Sequence, residues 1–133
     1  MSSLPVQVVA LALQRKSDGR YLLARRSLGS SGAGQWEFPG GKVESGETNT
    51  QALVREIAEE LSIEIPENEM TFVASHIFQY PQKKIELHLW CIVVSEDPKV
   101  ILTEHDKITW CSPSEMRKIN ISQADIFFID KLL

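Results

Sequence analysis

The chain has 133 residues, of which 43% are hydrophobic and 24% are charged, a composition typical of a soluble globular protein with a substantial core. The formal net charge is −4 and no block of basic residues occurs, so we expect no stable nucleic-acid complex. No apolar run approaches the ~20 residues that span a bilayer, and residues 1–5 lack the basic start of a signal peptide. We therefore expect a single domain over residues 1–133, in the cytoplasm and not bound to a membrane.

Two strands joined by a tight turn are predicted at the start of the chain. Residues 6–14 form a dense apolar run, which indicates a buried strand, and residues 21–24 predict its partner. Between them, Asp18-Gly19 predicts a type I′ hairpin turn, because both residues tolerate the positive φ of that turn. The second strand ends in Arg25 and Arg26. Taken alone, this pair is as consistent with a solvated strand end as with a role in binding.

A loop and a glycine-containing segment follow the second strand. Residues 27–35 are rich in Gly and Ser and predict a surface loop. Residues 36–44 read W-E-F-P-G-G-K-V-E, in which Phe38 should be extended because it precedes Pro39. Gly40, Gly41 and Gly46 allow the backbone to approach a ligand closely. We therefore expect this segment to border a binding site.

The central helix is predicted to begin after Thr48, which forms a capping box with Gln51. Its apolar stripe is predicted to consist of Ala52, Leu53, Ile57, Ala58 and Leu61. The helix also carries Glu56, Glu59 and Glu60, spaced i, i+3, i+4 and so on one face, where like charges repel. Three such acids alone are most often a solvated face, but oxygen ligands at this spacing also suit a hard cation such as Mg2+ or Mn2+.

The second half of the chain predicts further strands. They are expected at residues 70–79, 85–94, 100–102 and 108–111, with a turn at residues 80–83. His76 and His88 fall in these strands and are interpreted as structural. Cys91 and Cys111 lie in apolar runs without C-x-x-C spacing, which predicts reduced core residues.

Two short helices are predicted at the end of the chain. Ser112-Pro113 with Glu115 is typical of a helix start, and Ser122 with Asp125 predicts a second capping box. The apolar face of the last helix is predicted to consist of Ile126, Phe127, Ile129 and Leu132. The order of strands and helices predicts an α+β fold.

A long motif in this sequence resembles the Nudix box, G-x5-E-x7-R-E-U-x-E-E-x-G-U. Gly41, Glu47 and the run R-E-I-A-E-E-L-S-I over residues 55–63 match it, except that Ser62 stands where the family has Gly. A helix commonly ends there in a left-handed conformation, so Ser is expected to cost on the order of 1 kcal/mol. The resemblance implies a Nudix α/β/α sandwich with a central mixed β-sheet.

The resemblance also implies a metal site that binds Mg2+, with Mn2+ as a possible substitute. The implied ligands are the Gly40 carbonyl and the carboxylates of Glu56, Glu59, Glu60 and Glu104. Glu104 is included because it lies six residues before Trp110, the spacing of a further acid in MutT relatives. Among the implied catalytic residues, Arg55 orients Glu56, and either Glu56 or Glu104 serves as the general base.

Substrate contacts follow from the resemblance to MutT-type members, particularly the CTP pyrophosphohydrolase branch. The resemblance implies phosphate contacts from Arg25 and Lys42, although Lys42 is nearly as consistent with an exposed salt bridge. Tyr80 is a candidate for stacking on the base. Asp125 stands where MutT has a base-reading Asn; an ionised Asp only accepts hydrogen bonds, which suits the amine of cytosine or the N1–H and amino group of guanine. The alternative is that Asp125 only caps the last helix.

The implied activity is hydrolysis of (d)NTPs to NMP and pyrophosphate, as in sanitation of the nucleotide pool. Its implied substrates are cytosine nucleotides and modified or oxidised nucleotides such as 8-oxo-dGTP. Two alternatives are an RNA 5′-pyrophosphohydrolase, which the negative charge disfavours, and a catalytically silent nucleotide-binding module, which the complete set of acids disfavours. The sequence leaves open the preferred base and sugar, the number of metals, and whether the protein is a monomer or a homodimer.

Overall fold

The computed structural model describes residues 4–132, so the expectation about the first three residues lies outside the described part. Its strands are β1 (Val6–Arg15), β2 (Tyr21–Arg26), β3 (Trp36–Glu37), β4 (Gly40–Lys42), β5 (Thr71–Gln79), β6 (Lys84–Val94) and β7 (His105–Cys111). Its α-helices are α1 (Asn49–Leu61), α2 (Pro113–Met116) and α3 (Gln123–Ile129), and short 3-10 helices cover Glu67–Glu69 and Asp130–Leu132. Over residues 4–132, none of the helices has the length and apolarity that a membrane crossing requires.

The strands form one mixed sheet in the order β3-β2-β1-β6-β5. β1 runs parallel to β6, whereas its pairing with β2 and β4 is antiparallel. β1 and β2 pair only through Gln14 and Tyr21, after which β4 pairs with β1, and β3 pairs with β2. The chain between β3 and β4 therefore crosses the gap where β1 and β2 diverge. The Leu11 amide donates to the Pro39 carbonyl at 2.8 Å, which holds this crossing in place.

Both faces of the sheet are buried, which explains the unbroken apolar run in β1. Val9, Leu11 and Leu13 belong to the core under α1, whereas Ala10 and Ala12 belong to the core under α3. The first core also contains Leu22, Ala52, Leu53, Ile57, Leu61 and Ile92; the second contains Leu23, Phe38, Leu89, Met116, Phe128 and Ile129. Because successive strand residues point to opposite faces, a strand covered on both sides must be apolar throughout. The predicted α/β/α sandwich around a mixed sheet is confirmed.

Helix α1 begins as predicted, with both hydrogen bonds of the capping box between Thr48 and Gln51. It ends at Ser62, which takes the left-handed conformation that the motif predicts, with φ 59°. Two side chains differ from the predicted pattern. Ala58 is exposed rather than part of the apolar stripe, and Glu60 is buried with 5% exposure. The acids of the motif are therefore not on one solvated face.

The predicted type I′ turn at Asp18-Gly19 is wrong. Only Gly19 has a positive φ, 73°, and the loop between the strands is longer, closed by the Arg15 amide on the Arg20 carbonyl at 2.7 Å. Asp18 instead uses its side chain, which accepts hydrogen bonds from the Arg15 guanidinium and the Arg20 amide. An Asp that stabilises a loop in this way gives the same Asp-Gly signal as a tight hairpin.

Two further predictions, one for residues 100–102 and one for the start of the last helix, are also wrong. Residues 100–102 are not a strand; the Ile101 amide donates to the Leu61 carbonyl at 3.0 Å, so this segment closes the end of α1. At the last helix, Ser122 makes no side-chain cap, and the Asp125 carboxyl points to the Phe38 amide instead. At α2, by contrast, the predicted capping box between Ser112 and Glu115 is confirmed.

Candidate active site

Gly40 and Gly41 lie where the crossing segment meets β1 and α1. A Cβ on Gly40 would overlap the Val9 carbonyl, and a Cβ on Gly41 would overlap the Glu56 carboxylate. The two glycines are therefore required by close backbone approach rather than by a positive φ. Their small size brings the backbone of β4 directly against the acidic side chains of α1.

Glu60 occupies the most enclosed position in this acidic cluster. It is 5% exposed, and its Oε1 accepts a hydrogen bond from the Gly40 amide at 3.3 Å. Burial, together with the negative charges of Glu56, Glu37 and Glu104, raises its pKa to about 9 against the opposing Gly40 hydrogen bond. The structure thus brings four carboxyl groups close together, three from the motif-based prediction and one, Glu37, that was not predicted.

Arg55 links the carboxylates at the exposed side of the cluster. Its Nε and Nη2 donate to Glu47 at 2.8 and 2.9 Å, and its Nη1 donates to Glu56 at 2.6 Å. A second contact from Nη1 reaches the exposed Glu59 at 3.4 Å. The hydrogen bonds from Arg55 lower the pKa of Glu47 to about 2, whereas burial raises the pKa of Glu56 despite Arg55. This geometry supports the expected role of Arg55 in orienting Glu56.

The cluster is compatible with a divalent cation. Across residues 4–132, no three His, Cys, Asp or Glu side chains converge into a ready-made coordination sphere. The carboxylates bind Arg55 and the Gly40 amide instead. The side-chain donors of this cluster are nevertheless carboxylate oxygens, and burial together with neighbouring negative charge raises the pKa of both Glu56 and Glu60. Oxygen donors with excess negative charge fit Mg2+ or Mn2+ better than a softer metal.

A cleft of about 600 Å³ lies beside the two glycines. Gly41, Lys42, Tyr80 and Arg26 line it, and a smaller pocket of about 120 Å³ with Gly40, Gly41 and Tyr80 in its wall also contains Asp125. The structure therefore brings the predicted residues Lys42 and Asp125 to two adjoining pockets, which share Gly41, Tyr80 and Arg26 in their walls. Because Gly40 and Gly41 border both the cavity and the carboxylates, an elongated ligand can reach both regions.

Asp125 lines the smaller of the two pockets. It is 4% exposed, and its Oδ2 accepts a hydrogen bond from the Phe38 amide at 3.1 Å. Burial, with the negative charge of Glu37, raises its pKa to about 8, despite the opposing Phe38 amide and Arg26. A pKa in this range favours the protonated carboxyl at neutral pH, in contrast to the ionised Asp125 considered from the sequence. A protonated carboxyl both donates and accepts hydrogen bonds, as an Asn side chain does.

The two arginines at the end of β2 have different positions. Arg25 donates to Asp106 at 2.8 Å, lies 5.7 Å from the Trp36 ring centre, and does not line either pocket. Arg26 lines both pockets. The structure therefore places Arg26, and not the expected Arg25, at the candidate site. The sequence does not distinguish them, because the pairing of β2 with β7 shifts register between these two residues.

A second feature that the sequence prediction missed is a hydrogen-bonded row across three strands. Arg26 Nε donates to Glu37 Oε1 at 2.8 Å, and His105 Nε2 lies 2.9 Å from Glu37 Oε2. Arg26 also donates to the Ser31 carbonyl at 2.8 Å, which ties the loop after β2 to the site. The three residues of the row are distant in the chain, and no local pattern in the sequence links them.

The sequence and the fold both match known proteins. The family model described as the NUDIX domain matches residues 5–131. A CTP pyrophosphohydrolase from Escherichia coli is 41% identical over 128 residues, which are 96% of this chain and 91% of the relative. An 8-oxo-dGTP diphosphatase from the same organism is 34% identical over 84 residues, 63% of this chain and 64% of that protein. The crystal structure of the MutT protein from Methanosarcina mazei has a TM-score of 0.84 and 25% identity, covering 99% of this chain and 96% of that chain.

These matches extend over nearly the whole chain and so do not depend on the motif alone. They agree with the mixed sheet and with the acidic helix beside a glycine-lined cavity. The chain therefore belongs to the Nudix family of hydrolases.

Proposed function

We propose that this protein is a Mg2+-dependent hydrolase that converts (d)NTPs to NMP and pyrophosphate, acting on cytosine nucleotides or oxidised guanine nucleotides. One observation carries the proposal: Gly40 and Gly41 border both the carboxylate cluster and the cavity that contains Asp125. A nucleoside triphosphate likewise combines a charged polyphosphate end with a base that forms hydrogen bonds. The similarity to a CTP pyrophosphohydrolase and to an 8-oxo-dGTP diphosphatase supports the same class of substrate.

The polyphosphate end requires neutralisation of charge. The proposed metal ligands are Gly40, Glu56, Glu59, Glu60 and Glu104. When bound, a divalent cation there neutralises phosphoryl oxygens and lowers the pKa of a coordinated water. Lys42 and Arg26, at the wall of the cavity, supply further positive charge for the phosphates. This arrangement removes the repulsion between a polyphosphate and the acidic helix.

The general base is proposed to be Glu56 or Glu104. Arg55 fixes one oxygen of Glu56 at 2.6 Å, which orients the carboxylate but also favours its ionised form. Glu104 is exposed and near enough to raise the pKa of Glu60. Comparing the pH–rate profiles of Glu56→Gln and Glu104→Gln distinguishes them, because loss of the base removes the acidic limb of the profile.

The base end is proposed to be read by Asp125. A protonated carboxyl can donate to N3 of cytosine while accepting from its N4 amine, or donate to O6 of guanine while accepting from N1–H. Asp125 alone therefore does not choose between these bases. Tyr80 lines the cavity next to Asp125 and is positioned to stack on the base.

A kinetic panel tests the proposal. The protein with Mg2+ is incubated with CTP, dCTP, 5-methyl-dCTP, dGTP, 8-oxo-dGTP and 5′-triphosphate RNA, and the products are separated. We expect NMP and pyrophosphate from at least one free nucleotide. Release of orthophosphate would contradict the cleavage position, and faster turnover of the RNA would favour the RNA 5′-pyrophosphohydrolase. Binding of a nucleotide without turnover would identify a silent binding module.

A further inference from the structure

A buried histidine joins the strands next to the carboxylate cluster. β2 lies between β3 and β7, with Ala24 opposite Glu37 and Arg26 opposite His105. The contact from His105 Nε2 to Glu37 Oε2, 2.9 Å, therefore spans β2. His105 is 7% exposed, and its ring takes no other hydrogen bond among the described residues. We assign Nε2 as the donor in this pair, because Glu37 already accepts a hydrogen bond from Arg26 through its other oxygen.

His105 directly follows Glu104, a proposed metal ligand. Glu104 lies outside the regular strands, and its side chain is exposed. Its backbone is held by the loop after β2, because Ser27 Oγ donates a hydrogen bond to the Glu104 carbonyl at 2.6 Å. The His105 side chain is the first inward anchor of β7 after this segment. Because the two residues are adjacent in the chain, the anchoring of His105 restrains the backbone at Glu104.

We propose that His105 is a positioning residue, which holds Glu37 and the Glu104 segment against the carboxylate cluster through its hydrogen bond to Glu37. This inference rests on the proposed function, in which Glu104 binds the metal. A hydrogen bond outside the ligands of a metal can change metal affinity or activity by roughly 10- to 100-fold. If His105 had only a structural role, its substitution would change the stability of the protein and leave its metal affinity unchanged.

The variants His105→Asn, His105→Leu and His105→Gln separate these roles. Asn is too short to reach Glu37, and Leu has no hydrogen-bond donor but fills the buried volume. Both variants therefore remove the hydrogen bond, and the test can use either one if the other fails to fold. Gln carries its amide near the position of Nε2 and retains the donor. His88→Asn is the matched control, because His88 also binds through Nε2, to Gln7 Oε1 at 2.7 Å, in the pairing of β1 with β6.

Mn2+ binding to the nucleotide-free protein is measured by electron paramagnetic resonance, with thermal unfolding recorded for each variant. We expect His105→Asn and His105→Leu to weaken Mn2+ binding about tenfold or more, and His105→Gln to remain within about threefold of the original protein. His88→Asn should change Mn2+ affinity less than the two disruptive variants. Unchanged Mn2+ affinity in folded His105→Asn or His105→Leu would overturn the positioning role.

A double-mutant comparison tests whether His105 acts through Glu104. In the Glu104→Gln background, His105→Asn should weaken Mn2+ binding by less than about threefold, because effects through a shared partner are not additive. A full additive loss would overturn action through Glu104. If the original protein did not bind Mn2+ at all, the proposed function itself would be wrong, which is a different outcome from unchanged affinity in the variants.

Discussion

At the residue scale, glutamates of the same motif differ in pKa because their surroundings differ. Glu47 accepts two hydrogen bonds from Arg55, which lower its pKa to about 2, whereas burial and neighbouring carboxylates raise the pKa of Glu60 to about 9. The first carboxylate is ionised at neutral pH and serves as an anchor. The second holds a proton until a cation replaces it, which suits a metal ligand.

Glu56→Gln and Glu60→Gln should each lower turnover by at least ~100-fold without unfolding the protein, through loss of base or metal function. Glu60→Gln should fold well, because Glu60 is mostly protonated at neutral pH in the metal-free protein and Gln preserves its acceptor for Gly40. Steady-state kinetics and circular dichroism check this. Glu64→Gln, an exposed change of the same kind, is the control. A near-normal rate in either site variant would exclude its role.

Arg26→Met and Arg25→Met form a pair of neighbouring variants with the same chemistry. Arg26→Met should lower kcat/KM for the preferred nucleotide by about tenfold or more, because a charge-assisted hydrogen bond is worth about 1.5–3 kcal/mol. Arg25 is already bound to Asp106 and lies outside both pockets, so Arg25→Met should cost less than about threefold. Initial rates over a range of substrate concentrations provide the comparison. A larger loss for Arg25→Met would restore the original expectation from the motif.

At the element scale, helix α1 is held at both ends by groups from outside it. Thr48 and Gln51 form the capping box at its start. At its end, the Ile101 amide donates to the Leu61 carbonyl at 3.0 Å, and Thr103 Oγ1 donates to the Glu59 carbonyl at 2.9 Å. The segment that donates these hydrogen bonds continues directly into Glu104. It therefore joins the end of α1 to this proposed metal ligand.

Ser62→Gly should raise the free energy of unfolding by up to about 1 kcal/mol. Ser62 has φ 59°, a left-handed conformation that costs a residue with a Cβ roughly that amount. The larger entropy of Gly in the unfolded chain offsets part of the gain. Urea denaturation measures the difference, with Ser62→Ala as the control, since Ala retains the Cβ and should not stabilise. Equal stability of the two variants would show that the strain is not relieved by Gly.

At the scale of the whole molecule, the divergence of β1 and β2 creates the site. The two strands pair only through Gln14 and Tyr21, and the segment between β3 and β4 fills the gap between them. Phe38 of that segment belongs to the core under α3, and its amide donates to Asp125, whereas the amide of Gly40, directly after the segment, donates to Glu60 of α1. Burial of carboxyl groups at this junction destabilises their ionised forms, so the site affects the stability of the whole protein.

The free energy of unfolding of the metal-free protein should fall as pH rises from about 5 to about 9. The folded-state pKa of Asp125 is about 8 and that of Glu60 about 9, both above the ordinary values near 4 in an unfolded chain. Over this range the folded protein therefore holds more protons than the unfolded chain, and stability is lost as these groups ionise. The lowered pKa of Glu47 acts only in acid, below this range.

Urea denaturation at several pH values measures this dependence. Asp125→Asn removes one of the two buried ionisations and should flatten the curve between pH 5 and pH 9, whereas Glu64→Gln should not. Added Mg2+ should stabilise the protein most at the alkaline end, where Glu60 can bind it as a carboxylate. A metal-free protein with constant stability across this range would contradict the raised pKa values.

The sequence by itself determined the features that depend on neighbours in the chain. Helical periodicity and the capping pattern at Thr48 predicted helix α1, and β1 was recognised from an apolar run, whereas the left-handed end at Ser62 was implied by the family motif. Such signals are local, because helix caps and strand patterns involve residues a few positions apart. The α+β class and the mixed sheet followed from them and from the family resemblance.

Only the tertiary structure decided which side chains meet and how they ionise. The structure brings Arg26 rather than Arg25 to the cavity, and burial at the sheet junction raises the pKa of Asp125. The hydrogen bond between Glu37 and His105 joins residues 68 positions apart. Register, burial and the local dielectric arise from packing between distant segments, so a sequence pattern with a range of a few residues cannot contain them.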